Sequence, residues 1–86
     1  MDGMYDVVYS KLAKKDSRKL EQAGLKEKVV GLLKIIKNNP FQNPPPYEKM
    51  LGFPNKYSRR INKQHRLTYT VEDNEITIIR MWTHYE

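Results

Sequence analysis

The fold is decided by residues 66–85, which read RLTYTVEDNEITIIRMWTHY. The first six of these residues alternate polar with apolar side chains, a pattern typical of a strand that buries one face. Glu72-Asp73-Asn74 favours a hairpin turn, and residues 76–85 are rich in the Ile, Thr and Trp that strands prefer. The stretch therefore predicts two strands joined by a tight turn.

The sequence before this hairpin predicts two more strands and two helices. Residues 5–9 and 57–61 are short β-rich runs. Ser10 is a suitable N-cap for a first helix that extends to Ala23, with Gly24 as its stop. A second helix is indicated by one apolar stripe at three- and four-residue spacing, formed by Leu25, Val29, Leu32, Leu33 and Ile36.

The predicted architecture is α+β. Asn38-Asn39-Pro40 ends the second helix, and all five prolines fall between Pro40 and Pro54, which indicates a stiff, irregular loop. The predicted order is β-α-α-β-β-β, with two helices packed on a small, mainly antiparallel sheet. Because so short a chain has too little apolar surface for two cores, we expect a single domain over residues 1–86.

Composition limits the class of protein. The chain has no cysteine, which excludes disulfides, thiolate zinc sites and a cysteine nucleophile. Its two histidines, His65 and His84, are too few for most histidine-built metal sites, so we expect no metal or other cofactor. No apolar run approaches the roughly 20 residues that span a bilayer, and no signal segment precedes residue 5. We therefore expect a cytoplasmic protein without a membrane partner.

Positive charge is concentrated in one part of the chain. The net charge is +6, an excess that attracts polyanions such as nucleic acid. Residues 49–66 contain no acidic residue, and together with His65 their six basic residues are candidates for contacts with RNA or the ribosome: Lys49, Lys56, Arg59, Arg60, Lys63 and Arg66. The alternative is a solvated strand edge whose charge prevents aggregation.

Two further features could carry chemistry. Residues 82–85, WTHY, place His84 and Tyr85 near the chain end, where an imidazole with a pKa of about 6.5 could donate a proton near neutrality. Glu48 is the only carboxylate between Glu27 and Glu72, and a carboxylate among cations can accept a proton. The structural alternatives are an ordinary packed sheet edge for His84 and a surface salt bridge of Glu48 with Lys49 or Lys56.

Together these groups match the needs of RNA cleavage. RNA carries its own nucleophile, the 2′-hydroxyl, so no metal and no activated serine is required. A base must remove the 2′ proton, a cation must hold the extra charge of the phosphorane, and an acid must protonate the leaving 5′ oxygen. Glu48, Arg66 with Arg60, and His84 could fill these roles, and Tyr85 could orient the phosphate. The products would be a 2′,3′-cyclic phosphate and a 5′-hydroxyl.

The same residues resemble a known family. Residues 57–62 (YSRRIN), 65–67 (HRL) with Tyr69, and 82–85 (WTHY) look like the YoeB/Txe branch of the RelE superfamily of type II toxin-antitoxin toxins. Residues 39–41 and 46–49 match the same branch, and the resemblance runs through nearly the whole chain from Tyr5. The S-R-R-I-N-x-x-H-R-L block joined to a terminal H-Y is far more specific than a single histidine.

The resemblance implies a microbial RNase-like fold and an endoribonuclease that cuts mRNA on the ribosome. It implies that Glu48 is the base, that Arg66 stabilises the phosphate, that His84 is the acid, and that Tyr85 belongs to the same site. It also implies a cognate antitoxin of the YefM/Axe type, contact with operator DNA only through that antitoxin, and a possible homodimer.

Three positions depart from the branch. The stretch from Glu48 to Ser58 is one residue shorter than in YoeB. Leu51 stands where YoeB carries a lysine, so which lysine, Lys49 or Lys56, replaces it stays open. The chain also continues to Glu86, one residue beyond the usual terminal tyrosine.

Two other functions are compatible with these residues. A non-catalytic RNA- or ribosome-binding module would inhibit translation by occupancy, without cutting mRNA. A basic scaffold that binds only an acidic antitoxin and DNA would leave translation untouched. Replacement of His84 distinguishes the non-catalytic binding module from an enzyme. Inhibition by occupancy requires no acid and should survive the replacement.

Overall fold

The computed structural model describes residues 5–84, apart from the side chains of Thr83 and His84. This part of the chain contains two helices and five strands. The helices and strands, in chain order, are β1 (Asp6–Tyr9), α1 (Lys11–Gln22), α2 (Lys26–Asn38), β2 (Glu48–Lys49), β3 (Lys56–Arg60), β4 (His65–Glu72) and β5 (Glu75–His84). The predicted α+β class is confirmed. The sequence missed only β2, which is too short to show a pattern of its own.

The strands form one sheet in the order β1-β5-β4-β3-β2. Neighbouring strands run antiparallel except β1, which lies parallel to β5 at one edge. The predicted hairpin joins β4 to β5, with Asp73 at a φ of 54° in its turn. This topology puts β5 between the first and fourth strands of the chain, so the C-terminal strand lies inside the sheet.

Local signals explain both helices. Ser10 caps α1 as predicted, because its Oγ accepts a hydrogen bond from the Ala13 N–H at 3.0 Å. The same hydroxyl donates to the Ile79 carbonyl at 2.7 Å, which ties the start of α1 to β5. Gly24, at a φ of +75°, ends the first helical segment. Val29 and Ile36 of the predicted apolar stripe are buried, and the other members pack against the core.

The core lies between the helices and one face of β4 and β5. Among the described residues its buried apolar members are Ala13, Leu20, Val29, Ile36, Ile61, Leu67, Tyr69, Ile76, Ile78 and Met81. Leu67 and Tyr69 are fully buried as predicted for β4, but the prediction that the strand buries only one face is wrong, because Arg66 and Thr68 on the other face are buried as well. No helix of residues 5–84 has the length and apolar character needed to span a membrane.

A buried carboxylate fixes the last part of β5. Asp16, on α1 and 1% exposed, accepts from the Arg80 Nε and Nη2 atoms at 2.9 and 3.1 Å. It also accepts from the backbone N–H groups of Met81 and Trp82 at 2.9 and 3.2 Å. Burial alone would raise the pKa of Asp16, but these hydrogen bonds and the charge of Arg80 together lower it below its ordinary value. The β4–β5 register shifts between Arg66 and Tyr69, close to this contact.

Asp16→Asn should destabilise the fold by roughly 2–3 kcal/mol, near the lower end for a buried ion pair because Arg80 stays partly exposed. Urea denaturation at neutral pH measures this loss, and Asp6→Asn, at an exposed aspartate of β1, is the matched control.

The stability that Asp16 contributes should change with pH in one direction. Because folding lowers the pKa of Asp16, its stabilisation is present above the unfolded-state pKa of about 3.9 and is lost as pH falls through the lower folded-state pKa. The stability difference between wild type and Asp16→Asn should therefore shrink in strong acid. An undiminished difference there would contradict an ionised Asp16.

Candidate active site

A shallow pocket opens where β2, β3 and β4 lie side by side. Its volume is about 300 Å³, and it is lined by Pro46, Tyr47, Glu48, Ser58, Arg60 and Arg66. The strand register explains the grouping, because Glu48 lies opposite Ser58 and Arg60 lies opposite Arg66. Residues directly opposite in an antiparallel pair share a face of the sheet. The structure thus brings together three of the predicted site residues, Glu48, Arg60 and Arg66.

Two of the described residues hold Arg66 in this pocket. Its Nη1 lies 3.2 Å from Glu48 Oε1 and donates to Ser58 Oγ at 3.1 Å. The Arg66 side chain is 7% exposed, whereas the Glu48 side chain is 63% exposed. The salt bridge suggested for Glu48 with Lys49 or Lys56 is wrong, since its partner among the described residues is Arg66. A carboxylate and a fixed guanidinium therefore meet at one open site.

The backbone of His84 lies next to this arginine along the sheet. In the β4–β5 ladder the Cα of His84 pairs with that of His65, and the Cα of Thr83 pairs with that of Arg66. The imidazole of His84 and the whole of Tyr85 fall outside the described residues. Their predicted roles as acid and as phosphate-orienting group stay predictions.

Arg59 does not belong to this surface. It is 1% exposed, and its guanidinium donates to the carbonyls of Pro40, Gln42 and Pro45 at 3.1, 2.9 and 2.6 Å. Its Nε donates to Tyr69 Oη at 3.2 Å. The prediction that Arg59 contacts RNA or the ribosome is therefore wrong, because Arg59 alternates with the pocket residues and faces the core.

The contacts of Arg59 hold the proline-rich loop in place. Tyr69 assists by donating its hydroxyl to the Pro40 carbonyl at 2.7 Å, and burial raises the pKa of that hydroxyl despite the nearby Arg59 charge. The Arg59 guanidinium also lies 5.1 Å from the centre of the Tyr47 ring. Since this loop leads directly into β2, the same contacts fix the backbone that carries Glu48. We call this set of contacts the Arg59 clasp.

An aromatic cluster surrounds the clasp. Tyr57 lies 5.2 Å from Phe41 and 5.9 Å from both Tyr47 and Tyr69, measured between ring centres. The cluster was not predicted from the sequence. The available signal was the presence of Phe41 and Tyr47 inside the proline-rich segment, where an exposed loop has little use for aromatic rings.

The other residues predicted to contact RNA differ in how exposed they are to solvent. His65 is 4% exposed, and its ring stacks on Trp82 with centres 3.8 Å apart, so the prediction that it contacts RNA is wrong. Lys49, Arg60 and Lys63 are exposed. Lys56 is half-buried, with its ammonium 4.7 Å from the centre of the Phe53 ring. Contacts of these four cations with RNA stay predictions.

Solved structures of bacterial toxins share this fold. The YoeB dimer from Staphylococcus aureus is 35% identical with a TM-score of 0.82, covering 95% of this chain and 99% of that one. The YoeB-YefM complex from the same species is 35% identical with a TM-score of 0.78, covering 94% and 98%. This likeness identifies the class as a small toxin of a toxin-antitoxin system.

The sequence comparisons narrow the class to a family. The toxin YoeB of a Synechocystis strain is 40% identical over 58 residues, a match that spans 64% of this chain and 65% of the relative, just under two thirds of its length. The family model for YoeB-like toxins of bacterial type II toxin-antitoxin systems matches residues 8–85. The chain belongs to this family, as the sequence motifs indicated.

Loss of the Arg59 clasp should destabilise the folded protein. Arg59→Met removes the donors of three loop carbonyls and should lower the free energy of unfolding by roughly 3 kcal/mol, since charge-assisted hydrogen bonds in the interior are the strong ones. Arg59→Lys should recover only part of this, because one ammonium cannot reproduce the planar fork.

Urea denaturation checks both variants, with Arg60→Met at the adjacent exposed position as the control. Equal losses for Arg59→Met and Arg60→Met would show that the clasp contributes little.

Proposed function

We propose that this protein is a metal-independent endoribonuclease that cleaves messenger RNA on the ribosome. The observation that carries the proposal is the pocket in which Arg66, almost buried and oriented by Ser58, meets the exposed carboxylate of Glu48. An oriented guanidinium binds a phosphate with two parallel hydrogen bonds, and a carboxylate beside it can take a proton. The family to which the chain belongs supports the same reading.

The reaction needs only groups of this chain and of the RNA. Glu48 removes the proton of the 2′-hydroxyl, and the 2′ oxygen attacks the adjacent phosphorus. Arg66, with Arg60 at the pocket rim, stabilises the negative charge that develops on the phosphorane. The bond to the 5′ oxygen then breaks, and His84 gives that oxygen a proton while Tyr85 orients the phosphate. One product ends in a 2′,3′-cyclic phosphate and the other begins with a 5′-hydroxyl.

The ion pair of the free protein must open before this reaction. A phosphate that binds Arg66 takes the place now occupied by Glu48 and releases the carboxylate toward the 2′-hydroxyl. The exchange costs little, because Glu48 is 63% exposed and regains water as it leaves, while the phosphate replaces it as the anion beside Arg66. Binding of the substrate thus both fills the anion site and frees the base. An mRNA held in fixed geometry on the ribosome favours such an exchange, and this target makes the cytoplasm the proposed location.

The proposed protein partners follow from the related structures. The Staphylococcus aureus relatives are a YoeB dimer and a YoeB-YefM complex. We infer by likeness that this chain forms a homodimer and binds a cognate antitoxin of the YefM type, through which it reaches operator DNA. The exposed cations Arg60 and Lys63 are candidates for the contact with acidic residues of that antitoxin.

Primer extension on a translated mRNA tests the activity. The purified protein should produce new 5′ ends in the translated message and none in the same message without ribosomes. Translation arrest without new ends would favour inhibition by occupancy. A result with neither translation arrest nor new 5′ ends would favour a scaffold that only binds the antitoxin.

Three substitutions test the assigned roles in the same assay. His84→Ala should slow cleavage by about 10²- to 10⁴-fold, as loss of a general acid does. Arg66→Met should slow it by about 10²- to 10³-fold, because charge stabilisation is lost. Glu48→Gln should also abolish most cleavage, whereas Glu72→Gln, at another exposed glutamate, should not. Full activity of Glu48→Gln would remove this residue from the mechanism.

Charge reversal tests the proposed antitoxin contact. The pair Arg60→Glu and Lys63→Glu should weaken the complex with the cognate antitoxin in titration calorimetry, because like charges would face each other. Lys28→Glu on α2 serves as the control. Unchanged affinity of the double variant would place the antitoxin elsewhere.

A further inference from the structure

Two further recesses adjoin the pocket around Arg66 along β2. The pocket around Arg66 shares Glu48 and Ser58 with a second recess of about 530 Å³. That recess shares residues 49–51 with a third one of about 450 Å³, which extends to Phe53 and Pro54. We call these three connected recesses the β2 groove. It runs from the proposed phosphate site to the turn between β2 and β3.

The character of the β2 groove changes along its length. At the Arg66 end two arginines dominate, whereas at the far end the lining is mainly apolar. Leu51 is 94% exposed there, and Phe53 is 52% exposed. Exposed apolar groups that adjoin one another usually mark a binding surface. The groove therefore offers a cationic end and a flat apolar end.

The turn that presents Phe53 is ordered by its own backbone. Gly52 has a φ of +81°, which an L side chain rarely adopts. The Met50 N–H donates to the Lys56 carbonyl at 2.9 Å, and the Phe53 N–H donates to the Met50 carbonyl at 3.3 Å. These hydrogen bonds close the turn without burying its apolar side chains, so Leu51 and Phe53 stay available to a ligand.

Charge around the turn favours an anionic ligand. Lys49 lines the recess, and the ammonium of Lys56 lies over the Phe53 ring at 4.7 Å. Among the residues that line the three recesses, the only acidic one is Glu48, and the cationic ones are Lys49, Arg60 and Arg66. A nucleotide has the matching composition, since it joins an anionic phosphate to a flat apolar base. An apolar protein segment would match the turn but not these cations.

We propose that the far end of the β2 groove is a nucleobase-binding subsite, in which Phe53 stacks on an RNA base that neighbours the phosphodiester held by Arg66. The inference rests on the proposed function, because it takes Arg66 as the phosphate site. Leu51 packs against the edge of the base, and Lys49 and Lys56 neutralise the flanking phosphates. Phe53 is then a specificity-determining residue that selects the position of the cut.

Fluorescence of a short RNA tests the subsite directly. The probe is an RNA tetranucleotide with 2-aminopurine beside a single 2′-deoxy linkage, which prevents cleavage by the proposed route. Wild-type protein should quench the 2-aminopurine signal, because stacking quenches this base. Phe53→Ala should lose the quenching and bind about tenfold more weakly, a typical loss for one stacked base. Phe53→Tyr should keep both, and so should Leu12→Ala, at an exposed leucine of α1.

Several outcomes would overturn the inference. Absence of binding by wild type, or unchanged quenching and affinity in Phe53→Ala, would place the base elsewhere. If Phe53→Ala weakened only the complex with the cognate antitoxin, the surface would serve a protein instead. Leu51→Ser provides a second variant, expected to weaken binding while the quenching of the bound RNA stays.

Primer extension separates this inference from the proposed function. Loss of Phe53-dependent stacking in a toxin that still cuts translated mRNA would reject the subsite alone. Phe53-dependent binding in a toxin that cuts no mRNA would reject the nuclease and keep the RNA site. If both hold, Phe53→Ala should redistribute the cut positions along the message.

Discussion

The buried guanidinium of Arg59 is the contact on which the functional side of this molecule depends. A proline-rich segment has few backbone N–H donors, so it cannot build regular structure of its own. Arg59 supplies donors from β3 instead and satisfies three carbonyls of residues 40–45. The aromatic rings around it exclude water and strengthen these hydrogen bonds. In this way a loop without secondary structure is tied to the sheet beside it.

That rigidity matters because the proposed base stands at the end of the loop. Glu48 occupies the first position of a two-residue strand, where only two backbone positions pair with β3. Asp16 fixes the backbone on the other side of the site in a similar way, because it accepts hydrogen bonds from the N–H groups of Met81 and Trp82 just before His84. Both charged residues are buried, and both act on the backbone that carries a proposed catalytic group. Catalytic groups need such support, because a displacement of about 1 Å can cost a large part of the rate.

Much of the fold could be predicted because its signals are local. The cap at Ser10, the stop at Gly24 and the alternation through Leu67 and Tyr69 each depend on a few neighbouring residues. The pairing of β1 with β5 in parallel depends on contacts about 70 residues apart, and no short pattern reports it. β2 was missed for a different reason, because two residues are too few to show any periodicity.

The site was harder to predict because charge alone does not tell which way a side chain faces. Arg59 and Arg60 are identical in type, yet one is inside and the other is exposed. Alternation along a strand could have separated them, since Arg59 lies opposite Leu67, a core residue. The same argument assigns His65 to packing against Trp82. The partner of Glu48 could not be predicted from the sequence, because the register that brings Arg66 to it depends on three strands together.

A single-atom change in the RNA tests the central claim most directly. In the proposed reaction the substrate supplies its own nucleophile, while the protein provides proton transfer and a cation. An mRNA with one 2′-deoxynucleotide on the 5′ side of a mapped cut should be cleaved at every other site and spared at that bond, and the unmodified message should yield a 2′,3′-cyclic phosphate there. Cleavage of the deoxy-substituted bond at an undiminished rate would contradict the account, because the attacking oxygen would then have to come from water or from the protein.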